Sequence, residues 1–192
     1  IKVVFLENYD VSKAEVIIPA SDISEQISLA GKEASGTSNM KFMMNGAVTL
    51  GTLDGANVEI SNFVGEDNAV IFGMREEEVK AIKFNGTYNP FDIYNSDPQI
   101  KAVMDSLLDG TFSSDHEQFR MIFDEIMYRN DEFMVLKDLE SYLQGCKKIE
   151  TDYLNRDKWG RECLVNIACS GWFSSDRTIA EYNRDIWHLK KI

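Results

Sequence analysis

Ala47-Val48-Thr49-Leu50-Gly51-Thr52-Leu53-Asp54-Gly55-Ala56-Asn57-Val58-Glu59-Ile60-Ser61-Asn62-Phe63-Val64-Gly65, with Ala69-Val70-Ile71-Phe72 a short loop further on, decides the fold. Ala47–Leu50 and Ala69–Phe72 are short apolar runs, as expected of strands covered on both faces in a parallel sheet. Between them Gly51–Gly55 reads as a turn and Ala56–Val64 as a helix closed by Gly65. Arg75–Lys83 follows as a connecting helix, with its acidic residues in the first turn where they suit the dipole. Strands separated by helices predict an α/β fold with right-handed crossovers, one half of a doubly wound parallel sheet.

Upstream, Lys2–Leu6 is nearly all apolar and predicts a further strand, followed by a polar loop from Glu7 to Asp10. Ser12-Lys13-Ala14-Glu15 has capping-box spacing, so a helix is expected from Ser12 to about Ile18, ended by Pro19. Asp22-Ile23-Ser24-Glu25 predicts a weaker helix start running through Gln26 to Ala30. Ligands of such sheets sit beyond the carboxyl ends of the strands, which directs attention to the loops after Leu6 and Leu50.

Beyond residue 84 helices dominate. Asp97-Pro98 is a cap with proline at the first helical position, opening a helix that ends at Gly110. Asp115–Arg129 carries an apolar stripe of Phe119, Ile122, Phe123, Ile126 and Met127. Phe133–Leu136 predicts a brief extended segment, and Asp138–Leu154, Asp157–Cys169 and Ser175–Leu189 predict three further helices. The expected division is an α/β part over 1–84 and a mainly helical remainder over 85–192, packed as one structural domain.

The 192 residues are 44% hydrophobic, enough for a substantial core, and the formal charge of −12 argues against a general nucleic-acid surface. No apolar run is long enough to cross a bilayer, and no segment has a signal-peptide layout. The chain starts at Ile1 inside an apolar run without Met, which reads as a piece of a longer protein. Cys146, Cys163 and Cys169 match no zinc pattern and are expected as reduced thiols of a cytoplasmic protein. His116 and His188 stand alone, so no metal is expected.

The function is expected in Glu33-Ala34-Ser35-Gly36-Thr37-Ser38-Asn39-Met40-Lys41. A small-residue run enters a helix-forming segment, Asn39–Asn45, stopped by Gly46. Free N–H groups at a helix start, with the positive end of its dipole, suit a phosphate. Lys41 lies about one turn beyond Thr37 and can reach back toward whatever the run holds. With Met40, Phe42, Met43 and Met44 around it, Lys41 is expected to be buried, which would favour the neutral amine that condenses with a carbonyl. The bland alternative is a surface lysine on an amphipathic helix. Gly31-x4-Gly36 fails as a P-loop because no Lys follows the second glycine, and Gly51-x3-Gly55 reads as a plain turn. Asn85-Gly86-Thr87 matches a glycosylation acceptor but is discounted in an intracellular chain. Phe173-Ser174-Ser175-Asp176-Arg177 reads as a helix cap.

Glu33 to Phe42 closely resembles the pyridoxal-phosphate attachment motif of the α-glucan phosphorylases, the glycogen, starch and maltodextrin phosphorylases. Ile18-Pro19-Ala20-Ser21-Asp22-Ile23-Ser24-Glu25-Gln26-Ile27-Ser28, Gly51-Thr52-Leu53-Asp54-Gly55-Ala56-Asn57-Val58-Glu59-Ile60 and Phe173-Ser174-Ser175-Asp176-Arg177-Thr178-Ile179 are similar to that family's C-terminal region. The resemblance covers essentially the whole chain but only the C-terminal part of the enzyme. It implies two Rossmann-like lobes facing each other, the GT-B glycosyltransferase architecture, with pyridoxal 5′-phosphate covalently on Lys41 in the C-terminal lobe. It also implies that Thr37 and the amides around Gly36 and Ser38 hold the cofactor phosphate, and that Tyr9 and Val11 lie near its ring. Glu33, Ser35 and Gly36 would contact the hydroxyls of the transferred glucosyl unit. Ser38 departs from the glycine of many members and would narrow the cradle.

The implied reaction is phosphorolysis: inorganic phosphate releases glucose 1-phosphate, with retention, from the non-reducing end of an α-1,4-glucan. The cofactor phosphate exchanges a proton with the substrate phosphate. In that family basic residues upstream of the segment matching Ile1 supply positive charge, so the isolated chain is expected to be inactive. Its expected partners are the N-terminal lobe of the same enzyme and, in the parent, a second subunit of a homodimer, with no nucleic acid or membrane. Two rivals remain: a PLP-free GT-B glycosyltransferase using a sugar nucleotide, and a non-catalytic α/β interaction domain in which Lys41 is exposed.

Overall fold

The computed structural model describes residues 2–190 and is built on three parallel strands, β1 (Ile23–Gln26), β2 (Val48–Thr52) and β3 (Val70–Phe72), in that spatial order. Ile23 lies opposite Val48, and Leu50 opposite Val70. All five residues of β2 are buried, as a central parallel strand requires. Because side chains alternate along a strand, Val48, Leu50, Val70 and Phe72 share one face. There they pack with Ile149 of α8 (Val135–Leu154) and Trp159 of α9 (Arg156–Cys169). Helix α8 approaches so closely because position 145 is glycine: a Cβ there would lie 2.9 Å from Leu50 Cδ1. Gly51 points the other way, against Asn57 at the start of α3 (Asn57–Val64). A second core cluster joins Met43 of α2 (Ser38–Met44) to Ile60 and Val64 of α3 and to Ala69.

Two upstream expectations fail. Lys2–Leu6 is not a strand: Val3 and Phe5 are 89% and 88% exposed, and no layer of the described residues covers either face of the run. An apolar run becomes a buried strand only when neighbours satisfy its backbone and cover both sides. The helix expected from Asp22 is β1 instead. Ser24 is 1% exposed, Ile23 packs against the main cluster, and Val48 N–H donates to the Asp22 carbonyl (3.0 Å), so pairing with β2 overrides a local capping signal. The upstream helix, α1 (Val11–Ile17), is capped by Asp10, whose carboxylate accepts from Lys13 N–H (2.9 Å), rather than by Ser12.

Elsewhere the helices form near their expected positions, α4 (Glu76–Asn85), α6 (Pro98–Asp105), α7 (Arg120–Met127) and α10 (Ser175–Tyr182), whereas α5 (Pro90–Ser96), capped by the Asn89 side chain accepting from Phe91 N–H, has no counterpart among the expected elements. Asp97 caps α6 by accepting from Gln99 and Ile100 N–H, and Ser174 caps α10 by accepting from Asp176 N–H. Helix α6 ends at Asp105 rather than near Gly110, α7 is shorter than its stripe, and a π-helical turn at Asn183–Trp187 follows α10. Phe133–Leu136 is not extended. Met134 takes a left-handed conformation (φ 50°) and α8 begins at Val135, burying Leu136 against Ile100, Met104, Phe123 and Met127. All three cysteines are unpaired. Among the described residues no helix is long and apolar enough to cross a membrane.

Helix α8 also holds the loop after β3. Met74 N–H donates to buried Asp138 Oδ1 (2.9 Å) and Gly73 N–H to Ser141 Oγ (3.0 Å). Burial pushes the Asp138 carboxyl up, reinforced by the charges of Glu78 and Asp131 and opposed by the Met74 N–H. A carboxyl raised in the folded state binds its proton more tightly there than in the unfolded chain. Its contribution is therefore full below the unfolded value near about 4 and is lost as pH rises through the folded value. Asp138→Asn keeps an acceptor for Met74 and removes the charge. From pH 4 to 7 the variant should lose less urea stability than the parent, and parallel profiles would refute this.

Candidate functional site

The carboxyl edge of the sheet carries the loops after Gln26, Thr52 and Phe72; the loop after β1 runs through the Glu33–Thr37 stretch into α2. Thr37 sits at the cap position without a side-chain cap bond, leaving its hydroxyl free of that duty. Lys41 N–H donates to the Thr37 carbonyl (3.3 Å) and Met40 N–H to Asn39 Oδ1 (2.9 Å). The amides from Gly36 to Asn39 precede these bonds and are the ones left for a ligand. The Ser38 hydroxyl accepts a 3.4 Å bond from Gln26 Nε2, which draws it toward β1.

The loop is held from beneath by the segment after β2. Asp54, only 8% exposed, accepts at Oδ2 from the backbone N–H of Lys32 (3.0 Å) and Glu33 (2.7 Å). Ala56 N–H donates to the Ser35 carbonyl at 2.6 Å. The Asn39 side chain, 1% exposed, donates from Nδ2 to Asn57 Oδ1 (3.0 Å) and to the Ser35 carbonyl (3.5 Å), and Asn57 Nδ2 donates to the Thr52 carbonyl (3.1 Å). Thr52 Oγ1 donates to the Ser28 carbonyl at 2.5 Å. Sequence reasoning read Gly51–Gly55 as a plain turn and gave Asp54, Asn57 and Asn39 no role. The available signal was three Asx residues beside apolar runs, where buried amides and carboxylates must find partners.

Glu33, Ser35, Thr37 and Ser38 are exposed and lie on this one loop, as does half-buried Gly36. Lys41, one turn into α2, is also exposed, which corrects its expected burial: of the apolar residues around it only Met43 is buried, and Met44 is 53% exposed. The seven-residue helix turns Met43 inward, and Lys41 lies on a different face. Exposure is also what the interaction-domain rival expects of Lys41. Tyr9 and Val11 are 59% and 75% exposed, and the polar contacts of their segment are local: Asp10 with Lys13, and Lys13 Nζ with the Glu7 carbonyl. A cavity of about 440 Å³ lined by Ile27, Leu29, Lys32, Phe133, Asp138 and Tyr142 opens beside the loop rather than at Glu33 or Ser35.

The family model describing carbohydrate phosphorylases matches residues 1–189. The chain belongs to the carbohydrate phosphorylase family. Among its relatives are the glycogen phosphorylase of Bacillus subtilis (strain 168), 55% identical over 190 residues, and the brain form of Mus musculus, 50% identical over 191 residues. Each alignment covers 99% of this chain but 24% and 22%, respectively, of the relative. The glycogen phosphorylase of Haemophilus influenzae is 49% identical over 193 residues, covering all of this chain and 23% of the relative. The chain thus spans about a quarter of the length of these curated relatives.

The residues present fit a phosphate-bearing cofactor. The amides at the start of α2 and the Thr37 hydroxyl are donors of the kind a phosphate takes up, and Lys41 follows one turn on. Gly36, at φ +83°, makes the turn into this set with the Asn39 amide packed beneath it. The loop depends further on Gly55, at φ +52°, where a Cβ would lie 2.5 Å from the Ser35 carbonyl oxygen. Backbone cannot yield to that as a side-chain tip could. Gly55→Ala should therefore lower stability by about 1–3 kcal/mol. Urea unfolding measures this, and a change below about 0.5 kcal/mol would refute it.

Proposed function

We propose that this chain supplies the cofactor-bearing wall of the active site of a glycogen phosphorylase. The enzyme uses inorganic phosphate to release glucose 1-phosphate from the non-reducing end of an α-1,4-glucan. The observation that carries this reading is the Glu33–Lys41 loop, slung across the carboxyl ends of a parallel sheet, in a chain whose relatives are named glycogen phosphorylases. Lys41 is the covalent anchor of pyridoxal 5′-phosphate, and Thr37 with the amides of Gly36 and Ser38 holds its phosphate. When bound, the cofactor supplies a phosphate that exchanges a proton with the substrate phosphate. Glu33, Ser35 and Gly36 orient the glucosyl unit through its hydroxyls. Tyr9 and Val11 line the cofactor ring.

The lobe is the C-terminal, Rossmann-like half of a GT-B enzyme. Residues 1–84 form its α/β part and 85–192 its helical cover; the packing of α8 on the sheet supports that reading. Two phosphates held close together need concentrated positive charge. The stretch from Gly31 to Asn45 contributes two lysines and one glutamate in a chain of net charge −12. The remaining cations therefore come from the opposing N-terminal lobe of the same polypeptide, in a cytoplasmic homodimer.

Two outcomes check this reading. Borohydride treatment of the full-length enzyme should fix pyridoxyl on Lys41 alone, and Lys41→Ala should abolish the adduct; label spread over many lysines, or none, would favour a sugar-nucleotide transferase. The 192-residue chain alone should form no glucose 1-phosphate from glycogen and phosphate in a coupled assay, and detectable product would overturn the division of the site between lobes.

A further inference from the structure

The loop carrying Glu33 to Lys41 has two separate supports. The first is a single carboxylate oxygen, Asp54 Oδ2, which fixes the two consecutive amides of Lys32 and Glu33. A carboxylate accepting two N–H bonds in a nearly buried position is a strong and directional clamp. The second is a pair of buried amides. Asn57, standing on Gly51 of β2, orients Asn39, and Asn39 fills the space beneath Gly36 while accepting from Met40 N–H. The amide pair therefore shapes the turn from Gly36 into α2. The two side-chain supports bond different atoms of the loop, although their backbones are joined: Asn57 N–H donates to the Asp54 carbonyl (3.1 Å), and Asp54 N–H (2.9 Å) and Asn57 Nδ2 (3.1 Å) both donate to the Thr52 carbonyl.

We propose that Asp54 and the Asn39–Asn57 pair are positioning residues with separable duties, Asp54 setting the sugar-facing half of the loop and the amide pair setting the phosphate-facing half. This rests on the phosphorylase reading above. Neither support reaches the ligands: Asp54 acts through the backbone of Glu33, and Asn57 acts through Asn39 on the amides of Gly36 to Ser38. Removing Asp54 releases Glu33 while the turn into α2 keeps its buttress. Removing the Asn57 amide leaves Asn39 Nδ2 with only its 3.5 Å bond to the Ser35 carbonyl and the Thr52 carbonyl with only Asp54 N–H (2.9 Å), and the turn relaxes while the Asp54 clamp remains.

The test uses the full-length enzyme with Asp54→Ala, Asp54→Asn and Asn57→Ala. Three quantities are read: cofactor content per subunit and its half-saturation on reconstitution of apoenzyme, the dissociation constant of glucose on fully loaded protein, and amide exchange of Lys32 and Glu33 in the apoenzyme. Asp54→Ala should weaken glucose binding by about tenfold or more and deprotect the Lys32 and Glu33 amides, with cofactor half-saturation held within about threefold. Asp54→Asn, which keeps one acceptor oxygen, should recover part of the glucose affinity. Asn57→Ala should raise the cofactor concentration needed for half-saturation by about tenfold, with glucose affinity of the reloaded enzyme held within about threefold.

Parallel loss of both ligands in Asp54→Ala and Asn57→Ala, tracking a common fall in melting temperature, would overturn the separation of duties. Failure of Asp54→Asn to recover any glucose affinity would overturn the role given to the acceptor oxygen. Wild-type enzyme that holds pyridoxal phosphate on Lys41 and binds glucose, beside such variants, would leave the phosphorylase reading standing. Wild-type enzyme that holds neither would overturn that reading and this one with it.

Discussion

A strand buried on both faces must satisfy its polar backbone as soon as it leaves the core, and that constraint shapes the carboxyl edge of this protein. β2 reaches Thr52 with every residue buried. The Thr52 carbonyl takes Asn57 Nδ2, its hydroxyl donates to the Ser28 carbonyl, and Asp54 turns back to collect two amides from the preceding loop. The groups that end β2 are thus the groups that suspend the 33–41 loop. A core strand and a ligand loop are consequences of the same hydrogen-bond accounting.

The same logic recurs at the neighbouring strand. The loop after β3 leaves the sheet at Gly73 and Met74 and is caught by Ser141 and Asp138 of α8, while Asp131 accepts from Tyr88 OH (2.6 Å) and from Leu136 N–H (3.0 Å). Buried carboxylates at this edge serve as backbone acceptors. An acidic chain can therefore keep several carboxylates inside without pairing each with a cation, because N–H donors satisfy them. Lys41 is left outside that network, exposed and on a different helix face from Met43, which suits a side chain whose duty lies with a ligand rather than with the core.

Much of the architecture was legible in the residues. The alternation of apolar runs and helices from Ala47 onward specifies a parallel α/β arrangement, and Gly65, Asp97-Pro98 and Ser174 mark helix boundaries by local chemistry that the structure keeps. The entry of the 33–41 stretch into a helix was also readable, since small residues, a cap position and Gly46 are local signals. The failures are equally particular. Ile23–Gln26 carries a helix signal yet pairs as a strand, and Lys2–Leu6 carries a strand signal yet lies uncovered.

By itself, then, the sequence determined the fold class, most helix limits, the family motifs and the loop that bears the candidate site, because each is encoded within one or two turns of chain. Only the tertiary structure decided which apolar run joins the sheet, that Lys41 faces outward, and that Asp54, Asn57 and Asn39 hold the loop. Asp54 lies 21 and 22 residues from the amides it accepts from, and Asn57 lies 18 from Asn39. The physical reason is that a strand, or a buried polar side chain, is stabilised by partners distant in the chain, and a local pattern contains no record of which partner arrives.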